Sequence, residues 1–286
     1  MIRVEHSVFA LPFALSGAWL AAAGVPPAAD LGLVILAAVA ARSAAMAFNR
    51  LVDLRIDAAN PRTAQRELPS GRLTTGYAAA FTAVSAAIFV ASAFALAPIC
   101  GWLALPLLLL LLGYSLLKRF TLLCHLGLGL ALACAPAGAW LAVAKDFHAG
   151  WSLPLWIGAG VVAWVSGFDL LYALQDEAHD RAVGLHSWPA RFGAKRTLTA
   201  SACAFLLALG AWGIAGYGAG LGPAYWGGWI VVAALLTAEQ ILVRRRGLQG
   251  VPAAFFTVNA WVGPVYFLGL WLGLPSAAAA PLAWIR

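Results

Sequence analysis

Residues 31–57 read LGLVILAAVAARSAAMAFNRLVDLRID. Up to Phe48 the run carries one charge, Arg42, and then Asn49, Asp53 and Asp57 follow at four-residue intervals. About 20 apolar residues at a rise of 1.5 Å each cross the hydrocarbon core of a bilayer, so the stretch reads as a transmembrane helix with polar final turns. Each four-residue step turns only ~40° about the axis, which puts the three oxygen-bearing side chains on one face. On insertion scales a carboxylate or guanidinium at mid-depth costs ~2.5–3.5 kcal/mol, so acids at the end of such a span mark a site by default.

The rest of the chain has the same character. Of its 286 residues 63% are hydrophobic and 10% charged, against ~25% charged in soluble domains, which excludes a soluble globular or disordered protein. No motif recurs at a solenoid period. Apolar runs between polar or Pro/Gly breaks predict nine spans, near 8–24, 31–57, 75–97, 99–117, 121–144, 152–180, 197–217, 225–243 and 253–273, within one polytopic all-α domain over residues 1–286. The first run follows Arg3 as in a signal peptide but is read as a retained span. Of the 18 Lys and Arg, only Lys145 and Arg286 then fall on one side and only Arg42 inside a span. That bias sets the N-terminus and the charged loops on the cytoplasmic side, as expected in a bacterial inner membrane, and explains the net charge without nucleic acid. Cys100, Cys124, Cys134 and Cys203 form no CxxC pair and read as packing residues. Trp140, Trp151, Trp156 and Trp284 lie near predicted span ends and read as interfacial anchors, and Arg244, Arg245 and Arg246 as a topological one. Nothing in the sequence fixes the oligomeric state.

A second acidic window closes span six. In Asp169-Leu-Leu-Tyr172-Ala-Leu-Gln-Asp176-Glu-Ala-His-Asp180, the residues Asp169, Tyr172, Asp176 and Asp180 share a helix face. Spans two and six run in the same direction, so the two clusters emerge on the same side and can meet across one cavity. Carboxylates gathered this way repel one another unless a hard cation joins them, and oxygen-only donors suit Mg²⁺, which completes its shell with water and substrate phosphate. Arg62, Arg66, Lys118 and Arg119 beside them supply the contacts that a diphosphate needs. The parts describe a metal-diphosphate site at the mouth of a membrane cavity.

These residues resemble the UbiA superfamily of intramembrane prenyltransferases, whose motifs have the forms NxxxDxxxD and DxxYxxxDxxxD. The likeness extends to Arg42, RTxxR at Arg62–Arg66, PSG at Pro69–Gly71, YxxxKRFT at Tyr114–Thr121 and GLHSxxxRFG at Gly184–Gly193, over roughly residues 40–195. Glu67 stands where ubiquinone-pathway members often carry Pro, and the stretch Leu185–Arg191 is closer to menaquinone-type relatives. The resemblance implies nine helices, two four-helix halves about a central cavity with the ninth outside. It implies Mg²⁺-dependent transfer of a polyprenyl group from its diphosphate to the ring of an aromatic acid, 4-hydroxybenzoate or a dihydroxynaphthoate, in respiratory quinone synthesis. Carried over residue by residue, Asn49, Asp53 and Asp57 would hold one Mg²⁺ and Asp176 and Asp180 a second. Asn49, Arg62, Arg66, Lys118 and Arg119 would bind the diphosphate, while Asp169, Tyr172 and Arg42 would position and activate the aromatic acid. The prenyl tail would lie among the helices, in lipid.

Blander readings compete. The acid clusters could be solvated helix ends with i, i+4 arginine partners, and Lys118 and Arg119 simple anchors, but neither accounts for two clusters on matching faces. His179 reads as a rim residue, and His125 as a satisfied contact within its helix or a lining of the aromatic pocket. A non-aromatic or tetrapyrrole acceptor is the alternative within the superfamily. A transporter is the alternative outside it, disfavoured because both clusters lie at one membrane face.

Overall fold

A computed structural model describes residues 7–147 and 150–275, and the described residues are helical without strands. In lipid each backbone N–H and C=O must be satisfied within its own segment, which favours helices for apolar runs of this length. The helices are α1 (Ser7–Ala22), α2 (Ala28–Val52), α3 (Leu54–Ala59), α4 (Thr75–Leu96), α5 (Pro98–Gly113), α6 (Cys124–Ala144), α7 (Ser152–Ala173), α8 (Glu177–Ala182), α9 (Trp188–Gly218), α10 (Pro223–Arg246) and α11 (Val262–Gly273). Seven stretches among the described residues are long and apolar enough to cross a membrane. The longest, Pro223–Gly273, holds both α10 and α11, and the shorter apolar Phe9–Ala22 lies in α1. Counted so, nine crossing segments stand where nine were expected.

Helix boundaries follow local chemistry. Pro98 and Pro223 open α5 and α10 at positions where no N–H is needed, and Thr74 caps α4 by accepting the Tyr77 N–H at 3.1 Å. Several expected boundaries move. Span two ends at Val52; Asp53 (φ −91°, ψ 5°) breaks it, and α3 continues at a new angle until Asn60 turns extended before Pro61. Span six stops at Ala173 in a 3₁₀ turn, Leu174–Asp176, that leads into α8. Span seven starts earlier, at Trp188, across a non-helical Gly193 (φ 75°, ψ 169°) that only glycine adopts freely. The last span is irregular at first, with π and 3₁₀ turns over Ala254–Trp261. Regular α11 alone rises only about 18 Å, so that irregular segment supplies the remaining depth.

The nine crossing helices follow one another around a ring that α1 divides by packing across it on α6, and α11 closes it between α1 and α10 with Val262, Tyr266 and Leu270 buried. The expectation of a ninth helix packed outside is therefore corrected. Helix association in lipid depends on close packing more than on a hydrophobic driving force. Accordingly α1 meets α6 where Gly17 lies against the Pro136 carbonyl, and α6 meets α7 where a Cβ on Gly129 would come within 2.7 Å of the Val162 carbonyl.

The two sides of the ring are filled differently. On one side Phe13, Trp164, Trp212, Tyr225 and Tyr266 are fully buried and packed ring to ring. Their polar tips are satisfied: Trp164 donates to the Asn259 Oδ1 at 2.7 Å, Trp212 to the Ile157 carbonyl at 3.2 Å and Tyr225 to the Trp212 carbonyl at 2.5 Å. The other side, walled by α2, α4, α5 and α6, carries Ala and Leu instead, and these leave a cavity of about 740 Å³. Trp151 and Trp156 are exposed as expected of interfacial anchors, whereas Trp140 is 3% exposed and belongs to the core. Trp284 lies outside the described residues. Exposed Leu36, Val84, Leu109, Leu206 and Ile230 give the outer surface its lipid-compatible character.

Candidate active site

The cavity is apolar along its length and charged at one end. Ala37, Ala41, Ala104, Leu107, Leu132 and Ala135 are among its walls, while Arg42, Asn49, Arg50, Arg62, Arg66, Asp169 and Tyr172 gather toward the mouth. Its far side, where α2 begins and α6 ends, is tied by Lys145, which donates to Asp30 at 2.7 Å and to the Leu96 carbonyl at 3.1 Å.

At the mouth the two acidic windows meet. Asn60 donates to the Asp176 Oδ1 at 2.8 Å, and Arg62 grips both oxygens of the same carboxylate at 2.9 and 2.5 Å. A third Arg62 N–H reaches the Tyr172 hydroxyl at 3.0 Å. Burial works against the charge of Arg62, but its hydrogen bonds to Asp176 and Tyr172 and the Asp176 charge outweigh it and raise its pKa. The segment after α3 is held in place by Thr63, whose hydroxyl donates to the Asp57 carbonyl at 2.9 Å.

Each expected metal-ligand carboxylate except Asp180 faces a cation. Asp53, 2% exposed, accepts from Lys118 at 2.7 Å, Arg119 at 3.0 Å and Asn49 at 3.1 Å. Asp57 accepts two bonds from Arg66 at 2.8 and 2.9 Å and lies 3.7 Å from Arg50. Asp180, in α8, makes no ion pair among the described residues. Asn49 and Asp53 keep to one face and are hydrogen-bonded to each other, with Asp53 also facing the Tyr114–Arg119 turn, whereas Asp57, in α3, pairs with Arg66. No three His, Cys, Asp or Glu side chains among the described residues converge closely enough to hold a metal ion. The donor chemistry nevertheless fits a hard divalent cation: amide and carboxylate oxygens alone, at a mouth where every buried acid is neutralised by positive charge.

Arg42, Asp169 and Tyr172 line the cavity together. Arg42 forms no ion pair among the described residues, and its Nε is buried without a partner. Asp169 accepts from His125 through Oδ2, with Nδ1 at 2.6 Å.

The pattern described as the UbiA prenyltransferase family matches residues 10–263. The chain belongs to the UbiA prenyltransferase family. It is 32% identical over 253 residues to the 4-hydroxybenzoate octaprenyltransferase of Saccharophagus degradans, covering 88% of this chain and 83% of that one. With the enzyme of the same description from Aromatoleum aromaticum it is 30% identical over 263 residues, covering 92% and 87%. Among solved structures, an apo UbiA homologue from Aeropyrum pernix K1 superimposes with a TM-score of 0.85 at 34% identity, over 95% of this chain and 99% of that one. A UbiA homologue from Archaeoglobus fulgidus bound to DMAPP and Mg²⁺ shares the fold at 16% identity, with a TM-score of 0.67 over 94% and 95% of the two chains.

The partners of two polar residues of this UbiA-family site lay beyond sequence reasoning. Asn60 was visible as the residue before Pro61 but had no signal tying it to Asp176, 116 positions away. His125, expected as a satisfied contact within its helix or a lining of the aromatic pocket, has its partner Asp169 on α7.

Proposed function

We propose that this chain transfers a polyprenyl group from a polyprenyl diphosphate to a ring carbon of 4-hydroxybenzoate, in the synthesis of a respiratory quinone. The observation that carries this reading is one cavity that joins an apolar, Ala- and Leu-lined chamber to a mouth lined by Arg50, Arg62, Arg66 and Arg72, with Arg42, which forms no ion pair among the described residues, also on its wall. A long isoprenoid fits the chamber, a diphosphate fits the mouth, and an aromatic carboxylate fits Arg42. The acceptor is taken from the relatives, which are 4-hydroxybenzoate octaprenyltransferases.

Lys118, Arg119, Arg62, Arg66 and Asn49 bind and orient the diphosphate, and Asp53, Asp57, Asp176 and Asp180 with Asn49 are the oxygen donors that would hold Mg²⁺. Bound there, Mg²⁺ supplies Lewis-acid stabilisation of the departing diphosphate. The prenyl C1–oxygen bond breaks with its electron pair on the diphosphate, a bond forms from C1 to the ring carbon, and that carbon releases its proton to the departed diphosphate. Asp169 accepts from the phenol and raises the electron density of the ring, Tyr172 borders the acceptor, and the apolar walls keep water from the allylic cation. The chain acts as one domain in a bacterial inner membrane, with the mouth on the cytoplasmic side where Arg and Lys are concentrated.

The test is an assay of membranes bearing the protein with octaprenyl diphosphate and Mg²⁺, offering 4-hydroxybenzoate and a dihydroxynaphthoate in parallel and weighing the product. Prenylated hydroxybenzoate supports the reading; product only with the naphthoate moves the chain to menaquinone synthesis. No product with either acceptor overturns the aromatic assignment.

A further inference from the structure

His125 is a polar group at this site for which the proposed chemistry gives no role. It sits near the start of α6, 6% exposed, against Asp169, which lines the cavity. Its Nδ1 lies 2.6 Å from the Asp169 Oδ2, and its Nε2 faces the backbone N–H of Trp188 at 3.4 Å. A backbone N–H can only donate, so the Nε2 lone pair accepts it. The proton of the neutral ring is thereby fixed on Nδ1, and Nδ1–H donates to the carboxylate.

The support for this ring is itself built. Trp188 opens α9 immediately after a loop that is sewn to the Tyr114–Arg119 turn: the His186 N–H donates to the Lys118 carbonyl at 2.8 Å, and the Cys124 thiol donates to the His186 carbonyl at 3.5 Å. On the other side the Ser166 hydroxyl of α7 donates to the His125 carbonyl at 3.3 Å, one turn before Asp169. Asp169 Oδ1 accepts no hydrogen bond from any described residue, which leaves it free toward the cavity.

We infer that His125 is a positioning residue for acceptor activation: its Nδ1–H holds the Asp169 carboxylate in place and aims the Oδ1 at the phenolic hydroxyl of the aromatic acceptor, and the Trp188 N–H fixes the tautomer that does so. This rests on the aromatic-acceptor reading above. It also gives the Leu185–Trp188 loop a purpose, since the loop anchors both Lys118 at the diphosphate end and His125 at the acceptor end.

The test separates the two claims. Turnover of 4-hydroxybenzoate or the naphthoate by the unaltered protein establishes the acceptor class first; without it the parent reading fails and His125 is not at issue. Given turnover, His125→Leu is expected to lower kcat by about a hundredfold with the KM for polyprenyl diphosphate unchanged, while His125→Asn, which keeps an N–H near the Nδ1 position, recovers to within about tenfold of the parent. ¹⁵N NMR of histidine-labelled protein in nanodiscs, assigned by the His125→Asn variant, is expected to show a protonated Nδ1 and a bare Nε2. A His125→Leu variant that folds and keeps a kcat within about threefold of the parent would overturn the inference. So would equal losses in the Leu and Asn variants, or a proton on Nε2 with Nδ1 bare.

Discussion

Arg62 and Asp176 lie 114 positions apart, yet both oxygens of the carboxylate are bound by the one guanidinium, at 2.9 and 2.5 Å. The pair bridges the segment after α3 to the segment after α7, so it draws the two acidic windows together over the mouth of the cavity. It also sets a competition. Arg62 cannot hold Asp176 and a diphosphate with the same N–H groups, and three of the lone pairs of Asp176 are taken by Arg62 and Asn60 rather than left for a metal. The ligand-free arrangement is thus a set of internal ion pairs waiting to be exchanged for ligand contacts.

Arg62→Ala follows from that exchange. The variant loses a diphosphate contact and also frees Asp176, whose Asn60 bond remains. The expected result is a KM for polyprenyl diphosphate raised by about tenfold or more with the KM for the aromatic acid unchanged, read from steady-state assays in which each substrate is varied in turn. A change confined to the aromatic acid contradicts the clamp role.

Asp53→Asn tests the other half of the site against a matched control. Asp53 is nearly inaccessible and faces both Lys118 and Arg119, so loss of its charge leaves two cations without their shared partner and removes a metal donor. Turnover should fall by about a thousandfold or more, with thermal stability also reduced. Asp30→Asn breaks an ion pair of similar length to Lys145, but at the opposite end of the bundle and with Lys145 41% exposed. There the expected change is under about 1 kcal/mol of stability with activity unchanged. Equal effects from the two substitutions would mean that the mouth acids are structural only.

Removal of divalent cations is the complementary experiment. With Asp53, Asp57 and Asp176 already paired with Arg and Lys, the fold has no need of a metal, so a chelator should abolish product formation while leaving the melting temperature of the ligand-free protein unchanged within about 2 °C. Added Mg²⁺ should restore turnover. Loss of folding on chelation would identify a structural metal instead.

How much of this was legible beforehand depends on the range of the interaction. The nine crossing segments, Arg42 inside the second and the oxygen-bearing ends of the second and sixth are local properties of composition and period, and they stand in the structure. What escaped is set by bends and by partners far away in the chain. Asp53 lies within an apparently continuous helical pattern, yet Lys118 and Arg119, more than 60 positions on, hold its carboxylate where the chain turns. The Asn60–Asp176 and His125–Asp169 bonds likewise join separate elements, and a histidine buried in a glycine-rich helix gives no hint of which helix faces it. The π and 3₁₀ turns over Ala254–Trp261 read as one more apolar span, although they place Asn259 under Trp164 and Phe255 against Tyr172. The ring-filling tryptophans were unreadable for a similar reason: a Trp near a span end suits either an interface or a core until its neighbours are known.

The contrast between the two sides of the ring yields the last prediction. Where Trp164, Trp212 and Tyr266 fill the interior no tail can enter, so the tail's room is the Ala-lined side, and its length is limited by whatever side chains project there. Ala135, on α6, lines that chamber. In Ala135→Phe the added ring occupies part of the 740 Å³ without touching the charged mouth. The expected result is a kcat/KM for octaprenyl diphosphate reduced by about tenfold or more, while geranyl diphosphate, which does not reach so far, stays within about threefold of the parent. Both values come from one competition assay with a fixed aromatic acceptor. An equal loss for the short and long donors would place the tail elsewhere, along the lipid-facing surface rather than inside the ring.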